Sequence, residues 1–474
     1  MKLAVFMNKC KVIVPEEILV IGGGFAGLAA GVALAEAGAR VRLVEAKPYL
    51  GGRARSWVDP LTNSVVDNGQ HLFMGCYHAT VRFLSAIGTL DRIRFQTGLT
   101  LRFLEYGGRL TSLECPSLPA PFHLLVGVGR SDSFSRHEKL EILRLGWALQ
   151  SIRGKEEHDP GSLSVDEWLR RLGQSNRLRR NFWDLLCIAA MNEDPKIASA
   201  ALFERVLRLA LFRSPKDSRL GIASVGLSDC YTQAAVDYIR ARGGRVDLNH
   251  PVQGLLIEDD ECRGVELGNG ERVRAHAVIG AIPWFALSEI LPRELVQSDS
   301  FFARISSLRP APIICVNVWF DRPVTELDFA GLRGSTIQWL FNKGRILGGG
   351  QSYVSLVVSG AHQHVDCPKE ELLALALHEL AEFLPVVREA RILRSLVIKE
   401  RWATFSPSCE AEALRPPAQT PVKGLYLAGD WTATGLPATI EGAVRSGYAA
   451  AEASQSSNLR NPQRQLANLT NILD

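Results

Sequence analysis

Nothing in this sequence of 474 residues favours one sign of charge: 54 Lys and Arg against 50 Asp and Glu leave a formal +4, mixed along the chain. A nucleic acid is therefore not an implied partner. Also missing is any uncharged apolar run near the roughly 20 residues that a membrane-spanning helix requires. The N-terminal MKLAVFMNKCKVIVPEE is apolar over too short and too interrupted a stretch to read as a secretion signal. The nine cysteines include no CxxC and no close pair. They read as small buried apolar groups in a reducing compartment, not as disulfides or metal ligands. These absences make a cytoplasmic protein the expectation, with attachment to a membrane surface left open. No internal repeat is visible, and only Ser454 to Asp474 is polar enough for a loose tail. His362, His364 and Asp366 come nearest to a metal-ligand set; a solvated loop accounts for them, and no metal is expected.

What is present is concentrated near the two ends. The run ILVIGGGFAGLAAGVALAEAGARVRLVE, Ile18 to Glu45, reads as an apolar strand, the spacing Gly22-x-Gly24-x-x-Gly27, a small-residue helix, a stop at Gly38 and a second strand ending in an acid. Gly22 permits the tight strand-to-helix turn, Gly24 lets the backbone approach a pyrophosphate, and Gly27 lets the helix lie close on the sheet. Amides at the helix start, Phe25 and Ala26 among them, offer free N–H groups and a positive dipole end to phosphate. Glu45, followed by Ala46, can accept hydrogen bonds from ribose hydroxyls. The order of strand, helix, strand and acid carries the inference of a dinucleotide site; the three glycines alone do not. Near the other end, GLYLAGDWTATGLPATIEGAVRSGYAAAEA reads as a strand over Leu425 to Ala428, a Gly429-Asp430 turn and a helix entered at Pro437 or Ala438. Gly442 and Gly447 are expected to let that helix pack on the sheet.

Lys47 to Leu50 lead into GGRARS, Gly51 to Ser56, and this block resembles the extended fingerprint of the flavin amine oxidase and carotenoid desaturase superfamily. The resemblance implies FAD, with Arg53 reaching the pyrophosphate beside Gly52 and Arg55 as a second candidate. It also sets Val65 to Gln70 (VVDNGQ) beside the flavin ring, which brings Gly69, Gln70 and His71 to the cofactor. Val252 would touch the adenine end through its backbone, and Asp430 would hold the ribityl and phosphate region. Amides around Thr439, Ile440 and Glu441 would then lie under the flavin pyrimidine edge, where they can stabilise the negative charge of the reduced ring. The fold class implied is α/β, a Rossmann-like FAD-binding domain of the glutathione reductase and amine oxidase type interleaved with an α+β substrate domain.

The organisation is accordingly discontinuous: 1–80, 220–290 and 415–455 for FAD, 81–219 and 291–414 for a substrate cap, and a tail over 456–474. From His78 the periodicity turns mostly helical, through Leu140 to Arg153, Asp166 to Leu172 and Ile197 to Arg213, broken by proline between Pro116 and Pro121. Val225 to Arg242 predicts a helix, the stretch around Gly268-Asn269-Gly270 predicts hairpin strands, and Ile313 to Phe320, Thr336 to Asn342 and Tyr353 to Ser359 alternate as strands of a mixed or antiparallel sheet.

From Ile18 to about Glu452 the chain is also similar to a narrower family, the squalene-associated FAD-dependent desaturases, the hydroxysqualene dehydroxylases of hopanoid pathways. The residues that carry this are Gly51 to Thr80, ASVGLSDCYTQAA (Ala223 to Ala235), ATFSPS (Ala403 to Ser408) and Gly429 to Gly447. The resemblance implies a C30 isoprenoid substrate and reductive loss of its hydroxyl. An amine oxidase is a weaker reading, since Trp402 and Phe405 stand where a tyrosine cage is usual. A carotenoid desaturase is weaker too, because Thr434 to Ala438 replaces a Gly-rich turn; a flavoprotein scaffold is the non-enzymatic alternative. The implied reaction needs an acid for the leaving oxygen. His71 in the flavin loop is the first choice, against a reading as a simple hydrogen-bonding group; Asp194 in MNEDP is the second, against a reading as a cap ahead of Pro195. The helix Ala201 to Arg213 could dock on a membrane through Leu202, Val206, Leu209 and Phe212, or be plain cap core. With one dinucleotide fingerprint present, the electron donor is not written in the sequence: nicotinamide would have to visit transiently or act through a partner.

Overall fold

The computed structural model describes residues 17–151, 160–350 and 352–459. The N-terminal stretch, the end of the Leu140 to Arg153 segment and the tail from residue 460 lie outside the described residues. The first apolar run forms the strand Glu17–Ile21, the helix Phe25–Glu36 and the strand Arg40–Val44. These strands lie in a five-stranded sheet with the order Arg245–Asp247, Arg40–Val44, Glu17–Ile21, Ala277–Gly280, Leu425–Leu427. Every neighbouring pair in it is parallel. A parallel sheet must be covered on both faces, which is why its central strands are buried at consecutive positions, Ile18 to Ile21, Val41 to Val44 and Ala277 to Gly280, and not at alternate ones. One face carries the helices Phe25–Glu36, Leu227–Arg240 and Ile440–Leu459 around a core that includes Leu28, Val32, Tyr231 and Val444. The other carries the antiparallel strands Val252–Glu258, Glu261–Leu267 and Arg272–Arg274 with the helix Trp284–Ile290.

The second unit is a seven-stranded sheet, ordered Ile392–Phe405, Pro310–Phe320, Ser352–Ser359, Trp339–Asn342, Phe329–Leu332, Thr100–Leu104, Leu110–Glu114. Only the pair between Phe329–Leu332 and Thr100–Leu104 is parallel. Period-two alternation sorts its side chains. Ile314, Val316, Val318, Leu356 and Val397 pack under the helix Lys369–Phe383. Cys315, Trp339, Phe341 and Val357 face the cap helices, and Trp319 and Tyr353 meet Val66 of the flavin-loop segment.

Three expectations need correction. The region read as helical from His78 holds the hairpin Thr100–Leu104 and Leu110–Glu114, turned at Gly107 and Gly108 with φ near +82° and +83°. Its alternation was short and sat between stronger helical signals. The C-terminal helix starts at Ile440, not at Pro437 or Ala438, because the Thr439 hydroxyl accepts the Gly442 amide at 3.0 Å and fixes the N-terminus there. Gly447 packs on the first helix, not on the sheet: a Cβ there would stand 2.3 Å from the Ala26 carbonyl oxygen. The helix Ala200–Leu211, read as either plain cap core or a docking face, buries Leu202, Phe203, Leu207 and Ala210. Its Arg208 pairs with Glu204 and its Arg205 with Glu412, while Val206, Leu209 and Phe212 are half-buried and Arg213 is exposed. No described helix is long and apolar enough to cross a membrane.

Candidate functional site

The glycine motif is built for an anion. Gly22 has φ +105°, and its amide donates to the Val44 carbonyl at 2.8 Å, which ties the turn to the second strand. Gly24 caps the first helix without any side-chain acceptor, so the amides of Phe25, Ala26 and Gly27 are left for a ligand. A Cβ on Gly24 would have only the Gly52 Cα nearby, at 4.0 Å, whereas one on Gly27 would meet the Gly22 carbonyl oxygen at 1.9 Å. The first glycine therefore leaves space, and the second is a packing necessity. The Phe25 side chain takes no part in the cradle: it stacks on Tyr231 at 3.7 Å between ring centroids. Tyr231 donates towards the carbonyls of Gly51 and Ala54, at 2.9 and 3.1 Å, and so clamps the GGRA loop to the first helix.

Glu45 ends the second strand, half-buried, with its carboxylate accepting the amides of Gly23 (2.8 Å) and Lys47 (2.9 Å). Ala46 beside it is exposed. The amide of His250 donates to the Glu45 carbonyl at 2.9 Å, which brings the start of the strand Val252–Glu258 near Glu45. A carboxylate oxygen accepts more than one hydrogen bond, so Glu45 is oriented and still able to take ribose hydroxyls. Replacing Glu45 with Ala removes a charged acceptor worth about 1.5–3 kcal/mol. FAD retained on gel filtration should fall accordingly, and retention at the wild-type level would remove Glu45 from the site.

Arg53 and Asp430 come together although 377 positions separate them: Nη2 donates to Oδ1 at 2.5 Å and Nη1 to the Ala403 carbonyl at 2.8 Å. Asp430 is held from the far side by buried Arg415, which donates to its carbonyl and to Thr434 Oγ1 (3.1 and 2.8 Å) and lies over the Phe405 ring. The Gly429 amide donates to Ser446 Oγ at 2.7 Å, and Ile440 and the capping Thr439 follow at the helix start. Arg55 goes elsewhere. Its guanidinium lies over the Tyr49 ring at 4.0 Å and near Trp57 at 5.0 Å. Free helix-start amides, a space kept open by Gly24 and Gly52, a ribose acceptor and an arginine beside an aspartate together fit the pyrophosphate and riboses of FAD.

The flavin loop rests on a buried ion pair that sequence reasoning did not find. Lys343 Nζ donates to Asp67 Oδ2 at 2.6 Å, with both side chains 3% exposed. Asp67 also accepts Ser56 Oγ at 2.6 Å and the Leu227 amide at 3.1 Å. Gln70 reaches the same carboxylate at 3.4 Å, and Gly69 supplies a carbonyl to His71 Nδ1 at 3.1 Å. A carbonyl only accepts, so Nδ1 carries the hydrogen. Burial lowers the His71 pKa below the usual histidine range, which leaves a neutral ring whose Nε2 accepts and does not donate. Behind the loop, burial likewise raises the thiol pKa of Cys315.

Asp194 is not brought to this loop. It is exposed, its carboxylate accepts the Lys196 amide at 2.9 Å, and its carbonyl takes the amides of Ile197 and Ala198. It is the turn cap that Pro195 suggested. Trp402 packs on Phe285 at 4.7 Å and remains exposed, whereas Phe405 is fully buried and offers no open wall. His362 is bonded to Glu193 and Asp366 to Arg401, and no group of three or more candidate metal ligands gathers among the described residues. Two open clefts, of about 300 and 600 Å³, lie between the hairpin at Thr100–Glu114, the cap and the neighbouring strands. They contain none of the motif residues, so donor chemistry locates the cofactor site and cavity size does not.

A family model for flavin-containing amine oxidoreductases matches residues 25–453. The chain is 31% identical to a hydroxysqualene dehydroxylase from Rhodopseudomonas palustris over 92% of this chain and 98% of that one. It is 30% identical to another from Sinorhizobium fredii with the same coverage. A 15-cis-phytoene desaturase from an Oncidium hybrid cultivar is 27% identical over 93% of this chain and 78% of its own. Among solved structures, an oxidoreductase from Methanosarcina mazei superposes with a TM-score of 0.72 at 18% identity, covering 92% of this chain and 100% of that chain. Cyclohexylamine oxidase from Brevibacterium oxydans gives 0.64 at 17%, over 94% and 100%. These structures share the fold. The chain belongs to the flavin-containing amine oxidoreductases and is an FAD-dependent oxidoreductase.

Proposed function

We propose that this protein catalyses the reductive dehydroxylation of hydroxysqualene to squalene. What carries the reading is the similarity to two hydroxysqualene dehydroxylases at 30–31% identity along nearly the whole of both chains, above the 25–27% of the phytoene desaturases. We assign the FAD site to 1–80, 220–290 and 415–455, and the isoprenoid to the unit formed by 81–219 and 291–414. Reduced FAD supplies a hydride when bound. The chain's own contribution is a set of π-faced apolar walls: Trp339 and Phe341 on the inner sheet face, and Phe182 and Trp183 from the cap, are all buried in one apolar cluster. Such walls tolerate a delocalised allylic cation while excluding the water that would trap it.

Chemically reduced enzyme mixed anaerobically with hydroxysqualene tests this without a physiological donor. The flavin should reoxidise and squalene should appear in equal amount. Monoamines and polyamines should leave the oxidised flavin yellow. Bleaching by an amine, or by phytoene with a new double bond formed, would replace the reading with the corresponding oxidase or desaturase.

A further inference from the structure

Loss of hydroxide requires a proton, and neither acid suggested by the motifs is placed to give one: His71 is neutral with its N–H turned to Gly69, and Asp194 caps an exposed turn. The edge strand Ile392–Phe405 offers another. Its alternation is fixed at both faces. Val397 packs under the helix Lys369–Phe383, and Lys399 Nζ donates to the Cys367 carbonyl on that same side. Ile398 lies opposite Cys315 and joins the inner cluster. Glu400, opposite Ile313 in the same unbroken register, follows Ile398 onto the inner face. Three residues on, the Ala403 carbonyl accepts Arg53 at 2.8 Å, so Glu400 stands where the sheet meets the GGRARS loop.

We propose that Glu400 is the general acid, donating its carboxyl proton to the oxygen that leaves the allylic carbon; this rests on the dehydroxylation reading above. The carbon–oxygen bond breaks with its electron pair on oxygen, and the Glu400 proton completes a water molecule. The carbon takes a hydride from the reduced flavin, which is oxidised by two electrons, and the carboxylate recovers a proton from solvent.

The charged groups that face Glu400 are Arg53 and Arg55 of the loop, with Asp430 bonded to Arg53. Arg401 is turned away to Asp366 at 2.7 Å. Burial raises the Glu400 pKa despite the pull of Arg53, a hydrogen bond from the Trp402 amide and the pull of Arg55. An anion held at Arg53 weakens that pull, so cofactor binding favours the protonated acid further. Asp184 is the other carboxyl pushed up, to about 6, but its charged neighbours Asp166, Arg179, Asp194 and Arg180 all belong to the cap.

Glu400→Gln keeps size and hydrogen bonding while removing the acid. The variant should retain FAD and take up electrons from dithionite as wild type does. Its single-turnover reoxidation by hydroxysqualene should fall ~10²–10⁴-fold at neutral pH, with partial recovery in Glu400→Asp. The wild-type rate should fall as rising pH ionises the acid, whereas the residual rate of Glu400→Gln should be flat. Independently of turnover, infrared spectroscopy of the oxidised holoenzyme should show a protonated-carboxyl band that Glu400→Gln removes. Wild-type reoxidation in Glu400→Gln, or no such band, would overturn the proposal. If wild type itself ignores hydroxysqualene, the dehydroxylation reading fails, and a band lost in Glu400→Gln still establishes the protonated carboxyl.

Discussion

Lys343→Met should destabilise the holoenzyme by about 3–5 kcal/mol, because removing one partner of a buried ion pair leaves the other charge uncompensated. The pair is dry on both sides, and Asp67 is the hub of the flavin loop: it holds the Ser56 hydroxyl, the start of the helix Leu227–Arg240 and, through Lys343, the end of the strand Trp339–Asn342. With the ammonium gone, the carboxylate must take up a proton or draw in water, and either response loosens the Asn68 to His71 segment. FAD should then be released early in a urea titration followed by flavin fluorescence. Asp67→Asn combined with Lys343→Met should recover part of the loss, since two neutral groups of similar shape remove the stranded charge. A single variant within about 0.5 kcal/mol of wild type, the range of an ordinary surface change, would mean that the pair carries no load.

That hub marks the boundary of what the sequence could say. The glycine motif, Glu45 and the Gly429-Asp430 turn were legible because each depends on local geometry: a turn that only glycine tolerates, an acid at a strand end, a helix start at fixed spacing. The junction of Arg53 with Asp430 was legible only through family resemblance, since 377 intervening positions carry no spacing rule. Lys343 follows the apolar strand WLFN and has no motif at all; its meaning appears only when the second sheet is laid against the loop at Asp67. Glu400 was hidden for a related reason. In the run IKERWATF three charged residues stand in a row, which breaks the alternation that would announce a strand, and edge strands are charged for reasons unrelated to catalysis. His71 was singled out by its position beside Gln70, but its protonation was not legible, because burial and the Gly69 carbonyl set it and neither is encoded locally. The placement of Arg55, the second candidate, over Tyr49 and near Trp57 also depends on packing that the motif does not encode.

Two glycines of the same motif should fail in different ways. Gly27→Ala places a methyl 1.9 Å from the Gly22 carbonyl oxygen and 3.2 Å from the Ala281 Cβ. Neither neighbour can yield cheaply, since the Gly22 amide is bonded to Val44, the Ala281 amide to Ile21, and the turn is fixed at φ +105°. The first helix must therefore lift from the sheet, at a cost of about 1–3 kcal/mol or more for overpacking, and the amide cradle moves with it. Both the unfolding midpoint of the apoprotein and its FAD affinity should drop. At Gly24 the backbone is extended at φ −86°, which alanine adopts freely, and a Cβ meets nothing closer than the Gly52 Cα at 4.0 Å. Gly24→Ala should leave apoprotein stability near wild type and still weaken FAD binding about tenfold or more, a change of about 1.4 kcal/mol, because the methyl fills the space a pyrophosphate would occupy. Urea midpoints of the two apoproteins set beside FAD titrations separate the effects. Equal loss of stability in both variants, or undiminished affinity in Gly24→Ala, would move the pyrophosphate away from Gly24 and return that glycine to a packing role.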